Sequence, residues 1–188
     1  MSKVDLNALL NGFSGKLGNA VFRRVGDKTI VAHRPKKSDV APKESVLLQR
    51  ERFKRAAAYA RIKMEDPEAK AEYQLLAAGK PNMTAFIMAV TDYLRPPKIT
   101  RVLTSKYTGN PGDVIVIQPQ DDFKIKSIQV IITGANGTVI ENGDASVMPG
   151  ELDWQYLVTQ PNAVVAGTKI KVIALDRPGN EVSFEALV

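Results

Sequence analysis

The chain of 188 residues is 44% hydrophobic and 24% charged, with a formal net charge of +6, a composition typical of a globular protein and not of a disordered one. It contains no cysteine, which excludes disulfides, thiolate metal sites and cysteine nucleophiles together. No stretch approaches the ~20 apolar residues of a membrane span, and the apolar run Ala8–Leu10 is too short for a signal peptide. We therefore expect a cytoplasmic protein, although a chain that had lost its leader would read the same.

The positive charge is concentrated in the first half of the chain. Residues 1–98 contain 19 lysines and arginines against 10 aspartates and glutamates, whereas residues 99–188 contain 7 against 10. Such asymmetry is found in modules that bind polyanions. A solvated helical surface rich in Lys and Arg explains it more simply.

Residues 21–33 predict a β-hairpin. Apolar and basic residues alternate from Val21 to Val25, turn residues follow at positions 26–28, and β-prone residues resume from Thr29 to His33. Pro35 ends the pattern, and a loop is expected as far as Pro42.

The first helix is predicted from Pro42 to about Met64. Proline suits the first helical position because its missing N–H would have no partner there. Glu51 and Arg55 are spaced for an ion pair on adjacent turns. Apolar residues at helical spacing predict one buried stripe, formed by Val46, Phe53, Ala57, Ala60 and Met64.

Two shorter helices follow, with clearer end signals. Asp66 is a good N-cap before Pro67, and Gly79 is a suitable C-terminal stop. The third helix is predicted to begin near Asn82 and to end before the stiff pair Pro96–Pro97, where we place the boundary between domains of residues 1–97 and 98–188. The inward-facing residues are predicted to be Tyr73, Leu76, Ala77, Phe86, Ile87, Val90 and Leu94.

From Ile99 the hydrophobic period changes from 3.6 to 2. Short apolar runs separated by turn residues occur at about 99–107, 113–117, 124–133, 137–141, 152–158, 169–175 and 181–187. Seven strands at this spacing predict a small β-sandwich, with Trp154 as a core anchor rather than a ligand platform. The expected fold class is α+β, with an N-terminal β-hairpin and three helices followed by a seven-stranded sandwich.

Two segments resemble known bacterial proteins. Residues 167–183 combine an apolar strand, Asp176, a Gly179–Asn180 turn and a final strand; they resemble the last hairpin of bacterial immunoglobulin-like modules, which implies an immunoglobulin-like sandwich. Residues 8–95 resemble a bacterial family, best known from the Bacteroidetes, for which no activity is established. Its members have spaced glycines, a basic hairpin, an Arg near a Pro and a Gln/Arg/Phe-rich helix. The matching residues are Gly12, Gly15, Gly18, Arg34, Pro35, Gln49, Arg50, Arg52 and Phe53.

The sequence offers little for nucleophilic or zinc chemistry. His33 is the only histidine, and the adjacent cation Arg34 would oppose the imidazolium that a Ser-His-Asp triad forms. A zinc site normally needs several His or Cys ligands. We therefore expect a surface or hairpin-packing role for His33.

Three other patterns are explained more simply by turns and strand ends. Gly12–Gly18 lacks the preceding strand and following helix of a dinucleotide-binding loop. The calcium candidates Asp121–Asp122 and Asn142–Asp144 lack EF-hand spacing. Glu151 and Asp153 are typical of solvated strand ends rather than of a glycosidase pair. We expect no enzyme activity, no catalytic residue, no metal and no cofactor.

The best candidate site is the basic surface of the N-terminal half. Hairpin and helix together could present a positive face to phosphates, giving salt-dependent and largely sequence-independent binding. The same residues could instead face water or an acidic partner subunit, and no known DNA- or RNA-binding signature is present. The candidate nucleic-acid-binding residues are Arg23, Arg24, Arg34, Lys36, Lys37, Arg50, Lys54, Arg55 and Arg61.

The sequence favours a non-catalytic structural or protein-interaction protein, with phages or other mobile elements as one setting. Its partner would be an unknown protein or a second copy of the chain, because the edges of the small hairpin module need covering. Non-specific nucleic-acid binding is the alternative, and no membrane partner is expected.

Overall fold

The computed structural model describes residues 13–25, 28–36, 40–150 and 152–188. Within these residues the chain forms three helices and eleven strands, which lie in three antiparallel sheets, so the predicted α+β class is confirmed. In chain order the elements are β1 Gly15–Leu17, β2 Ala20–Val25, β3 Lys28–His33, α1 Glu44–Glu65, α2 Pro67–Ala77, α3 Ala85–Leu94, β4 Lys98–Leu103, β5 Val114–Gln120, β6 Ile125–Thr133, β7 Val139–Asp144, β8 Ser146–Val147, β9 Trp154–Leu157, β10 Lys169–Asp176 and β11 Glu181–Leu187.

The predicted hairpin is confirmed, and it belongs to a larger sheet. β2 pairs with β3 in antiparallel register from Ala20 opposite His33 to Val25 opposite Lys28. The turn residues Gly26 and Asp27 lie outside the described residues. β1, which was not predicted, adds a third strand on the other side of β2, because a three-residue strand carries too few residues to show a period of two.

The first helix begins two residues later than predicted. Lys43 is extended, with φ −60° and ψ 151°, and its carbonyl accepts the first bonds from the N–H groups of Val46 and Leu47 at 2.9 and 3.2 Å. Pro42 therefore precedes the helix, and its assignment to the first helical position was wrong. A proline's fixed φ suits an extended residue as well as a helical one, so its presence did not settle where the helix starts.

The end signals of the second helix are confirmed, but the cap of the third is not Asn82. The Asp66 carboxylate accepts hydrogen bonds from the backbone N–H groups of Glu68 and Ala69 at 3.0 and 3.4 Å. α3 is capped instead by Thr84, whose hydroxyl accepts from Ile87 N–H at 3.2 Å. Asn82 occupies a left-handed turn with φ 62°. Asn and Thr both suit an N-cap, but the left-handed region is open to Asn and disfavoured for the β-branched Thr.

Two four-stranded sheets face each other in the second half of the chain. Their strand orders are β11-β10-β6-β7 and β4-β5-β9-β8. Side chains that alternate inward along β5, β6 and β10 fill the space between the sheets, and Trp154 packs against them half-buried. The fully buried members of this core include Ile115, Ile117, Ile128, Val130, Ile132, Ile170, Val172 and Ala174.

The described strands of the sandwich number eight, one more than predicted. The extra strand is β8, which follows β7 after the single buried residue Ala145. β7 pairs with β6 in one sheet and β8 with β9 in the other. The chain therefore changes sheets at Ala145, and a two-residue strand leaves no periodic signal in the sequence.

A second group of buried side chains lies among the helices. It is centred on Ala56, Ala60, Tyr73, Met88 and Ala89. Pro97, also buried, separates α3 from β4.

No helix within the described ranges is long and apolar enough to cross a membrane.

Candidate functional site

The basic residues of the N-terminal sheet do not share one face. Arg23 and Arg24 are both exposed on β2, opposite Ile30 and Thr29 respectively. Adjacent strand residues project to opposite faces, so these two arginines do not form a single patch. Arg34 and Lys36 are exposed after β3, and Lys37 lies outside the described residues.

Three of the four candidate residues on α1 share a stripe. Arg50, Lys54 and Arg61 are exposed and, at 3.6 residues per turn, lie within about 40° of one another around the helix. Arg55 projects from the other side and pairs with Glu51, at 3.5 Å between Nε and Oε1. This ion pair was predicted and is confirmed.

The first half of α1 also exposes apolar side chains, which the sequence did not predict. Every residue of Glu44–Arg55 is exposed, a segment that we call the α1 extension. Phe53, predicted to lie in the core, is 56% exposed, and Val46 is 37% exposed, so their burial was wrongly predicted. The buried residues of α1 are Ala56 and Ala60 in its second half. α2 and α3 have 11 and 10 residues against 22 in α1, too short to cover its whole apolar stripe.

A buried polar cluster lies among the helices. The Tyr73 hydroxyl donates to Asp92 Oδ2 at 2.5 Å and lies 3.1 Å from the Tyr59 hydroxyl. Tyr73 and Asp92 are both 0% exposed. Asp92 Oδ1 is buried and has no hydrogen-bond partner within the described part of the chain.

The turn between β10 and β11 joins this cluster to the sandwich. Arg177 Nη2 lies 2.7 Å from Glu72 Oε2, and its guanidinium stands over the Tyr73 ring, 5.3 Å from the centroid. Asn180 Nδ2 donates to the Tyr93 carbonyl at 3.1 Å and to Asp176 Oδ2 at 2.7 Å. One turn of the sandwich thus contacts both α2 and α3. We call these contacts the junction.

Burial shifts the pKa values of two groups beside the junction, Asp92 and Tyr73. The pKa of Asp92 is raised to about 6, mainly by burial. The hydrogen bond from Tyr73 and the charge of Arg177 act against this rise, and the carboxylates of Asp176 and Asp121 act with it. Burial and the bond to Asp92 also raise the pKa of the Tyr73 hydroxyl, which therefore remains a donor. Because neither group is exposed to solvent, the arrangement is suited to holding two parts of the chain together rather than to meeting a substrate.

A shallow groove of about 390 Å³ runs beside the junction. Arg95 Nη1 and Asp122 Oδ2 form an ion pair across it at 2.6 Å. Both partners are more than half exposed, so the pair contributes little free energy. The groove is lined by Leu94, Arg95, Pro96, Lys98, Gln120, Asp121 and Asp122.

The remaining candidate residues from the sequence are not brought together. His33 is exposed on β3, and Asp153 accepts a hydrogen bond from Gln118 Nε2 at 2.8 Å, while Glu151 lies outside the described residues. Asp121 accepts from the N–H of Phe123 in a local turn. Across residues 13–25, 28–36, 40–150 and 152–188, no group of three His, Asp or Glu side chains is placed to hold a metal ion.

Sequence reasoning missed the junction altogether. One signal was present: Asp92 is the single charged residue of the apolar helix AFIMAVTDYL, and a carboxylate at that place is buried only with a partner. The partner residues Tyr73 and Arg177 are distant in sequence, so no spacing pattern links them.

No protein-family model matches this chain, and no curated protein matches it significantly.

Proposed function

We propose that this chain is a non-catalytic structural or protein-interaction protein, and that the α1 extension is part of its interaction surface. The observation that carries the proposal is the exposure of four apolar side chains on the α1 extension, from 37 to 65%: Val46, Leu47, Leu48 and Phe53. Val46 and Phe53 share one face of the helix, whereas Leu47 and Leu48 project from other sides. An exposed apolar patch rimmed by polar residues marks a site of protein association. Three points stay predictions from the sequence: association with phages or other mobile elements, the resemblance to a bacterial family, and a cytoplasmic location.

We further propose that the sandwich is immunoglobulin-like. We also propose that the chain has two domains, a helical domain of residues 1–97 and a sandwich domain of residues 98–188. The sheet β4-β5-β9-β8 has the strand order ABED of immunoglobulin domains, and β11-β10-β6 has the order GFC. β7 would be an added strand beside C. Such sandwiches serve as packing and recognition modules on many unrelated proteins, so this assignment concerns fold and not ligand.

A photo-crosslinking amino acid placed at Phe53 tests the proposed function. We expect discrete crosslinks to protein in a nuclease-treated extract of the producing cells, because the side chain at this position projects from an exposed apolar surface. Val139 on β7 is also 56% exposed and provides a matched control position in the sandwich. Equal crosslinking at the two positions, or no protein adduct at position 53, would contradict the proposal.

Non-specific nucleic-acid binding is the second candidate, supported by the stripe of Arg50, Lys54 and Arg61. If it is correct, the triple change to glutamate should weaken binding to generic DNA by at least about 100-fold and reduce the salt slope by about 3. A triple reversal of exposed lysines in the sandwich, at Lys124, Lys126 and Lys169, changes the net charge equally and should leave the slope nearly unchanged. Fluorescence anisotropy between about 50 and 200 mM salt measures both; equal effects of the two triple variants would reject a dedicated DNA surface.

A further inference from the structure

The α1 extension continues the buried face of α1 beyond the helices that cover it. Around the helix, Val46, Gln49 and Phe53 lie on the same side as Ala56 and Ala60. Ala56 and Ala60 are 0% exposed, whereas Phe53 is 56% exposed. One apolar face is therefore covered by α2 and α3 in its second half and lies open in its first.

The borders of this open face are positively charged. Arg50 flanks it on one side and Arg52 on the other. Arg52 is held there because its Nη2 donates to the Leu94 carbonyl at 2.8 Å. The acidic residues of the extension, Glu44 and Glu51, lie on the opposite side of the helix, where Glu51 pairs with Arg55.

We infer that the open face of the α1 extension binds an amphipathic helix whose apolar stripe is flanked by acidic residues. An apolar stripe at i, i+3, i+4 and i+7 would cover Val46 and Phe53, as when helices pack ridge into groove. Glutamates beside that stripe would meet Arg50 and Arg52, so charge as well as shape is matched. This inference rests on the proposed function, since it names the class of protein partner for the same surface.

Two other occupants fit the face less well. A second copy of the same face would set Arg50 and Arg52 against the same arginines, and like charges across an interface oppose binding. Nucleic acid would satisfy the arginines but leave Val46 and Phe53 against phosphates, whereas interfaces with DNA are polar and strongly charged.

The test uses the full chain and three fluorescent helical peptides of about 18 residues. The first has a leucine stripe flanked by glutamates, the second replaces the glutamates with lysines, and the third replaces the leucines with serines. We expect only the first to bind, with affinity lowered at least about tenfold by Phe53→Ser and by Arg50→Glu. Arg55→Glu is the matched control, because it reverses the same charge on the opposite side of the same helix and should lower affinity less than about threefold.

The inference is overturned if the acidic peptide does not bind, if the lysine-flanked peptide binds equally, or if Arg55→Glu weakens binding as much as Arg50→Glu. Since Phe53 and Arg50 are exposed, both variants should keep the wild-type helical circular dichroism. If Phe53→Ser unfolds, comparing the peptide affinities of Arg50→Glu and Arg55→Glu still tests the inference. Protein crosslinks at position 53 without peptide binding would reject the acidic helix and retain the proposed function. If position 53 gives no protein crosslinks and the acidic peptide does not bind, both the proposed function and the acidic-helix inference are rejected.

Discussion

Replacement of Tyr73 by alanine is expected to lower the free energy of unfolding by about 3 to 5 kcal/mol, the usual cost of deleting a buried aromatic ring. Tyr73 is 0% exposed, its hydroxyl contacts those of Tyr59 and Asp92, and Arg177 stacks on its ring. The substitution therefore removes packing among the helices and the platform on which the β10–β11 turn rests.

Two spectroscopic signals report this loss separately. Far-ultraviolet circular dichroism follows the helices, whereas fluorescence follows Trp154, which packs against the core of the sandwich. If the junction couples the two halves, both signals should move to lower urea concentration in Tyr73→Ala. A shift of the helical signal alone would show that the two halves unfold independently and that the junction does not couple them.

The milder variant Tyr73→Phe isolates the hydroxyl and is expected to cost about 1 to 3 kcal/mol, since it leaves a buried carboxylate without a donor. Tyr107→Phe is its control. Tyr107 is 5% exposed in the sandwich core, and its hydroxyl accepts from Asn162 Nδ2 at 3.0 Å. A neutral amide loses one partner there and keeps its bond to Thr168 Oγ1. A loss at Tyr107 equal to that at Tyr73 would contradict a special role for the carboxylate.

Local signals were sufficient to predict most elements of the fold. The alternation at Val21–Val25, the Asp66 cap and the change of period at Ile99 each depend on neighbouring residues, and each is found in the structure. Local signals were insufficient where tertiary contacts decide. The stripe from Val46 to Met64 is continuous in sequence, but the lengths of α2 and α3 determine which part of it is buried.

The basic surface could be predicted from local signals, whereas the junction could not. Arg50, Lys54 and Arg61 are basic residues, and their helical spacing alone predicts that they lie together on an exposed stripe. The pairing of Arg177 with Glu72 links residues of β10–β11 and α2 that are far apart in the chain. Such contacts follow from how the sandwich packs on the helices, and a single sequence does not contain that information.

The stability of the chain is expected to fall as the pH rises through the range in which Asp92 ionises. The pKa of Asp92 is raised by burial from 3.8 to about 6. As the pH rises between these values, the unfolded chain loses this proton before the folded chain does. The raised pKa therefore favours folding fully below about pH 3.8, and the advantage is lost as the pH rises through about 6, a change of about 3 kcal/mol in all.

The variant Asp92→Asn tests this dependence. It removes the titrating group, so its stability relative to the wild type should improve by about 2 kcal/mol between pH 4 and pH 7, whatever the substitution costs at a fixed pH. Urea unfolding at a series of pH values gives both curves. Comparing the two curves matters because Asp92 is not the only carboxyl whose pKa burial raises: the same holds for Asp121.

Asp122→Asn is the matched control, because Asp122 is 58% exposed and pairs with Arg95 at the edge of the same junction. Its curve should run nearly parallel to that of the wild type, since an exposed ion pair contributes little. If the Asp92→Asn curve is parallel to the wild type as well, Asp92 is not the group that titrates, and its burial does not destabilise the junction at neutral pH. If the Asp92→Asn curve alone diverges, ionisation of the buried Asp92 carboxyl makes the folded chain less stable at neutral than at acidic pH.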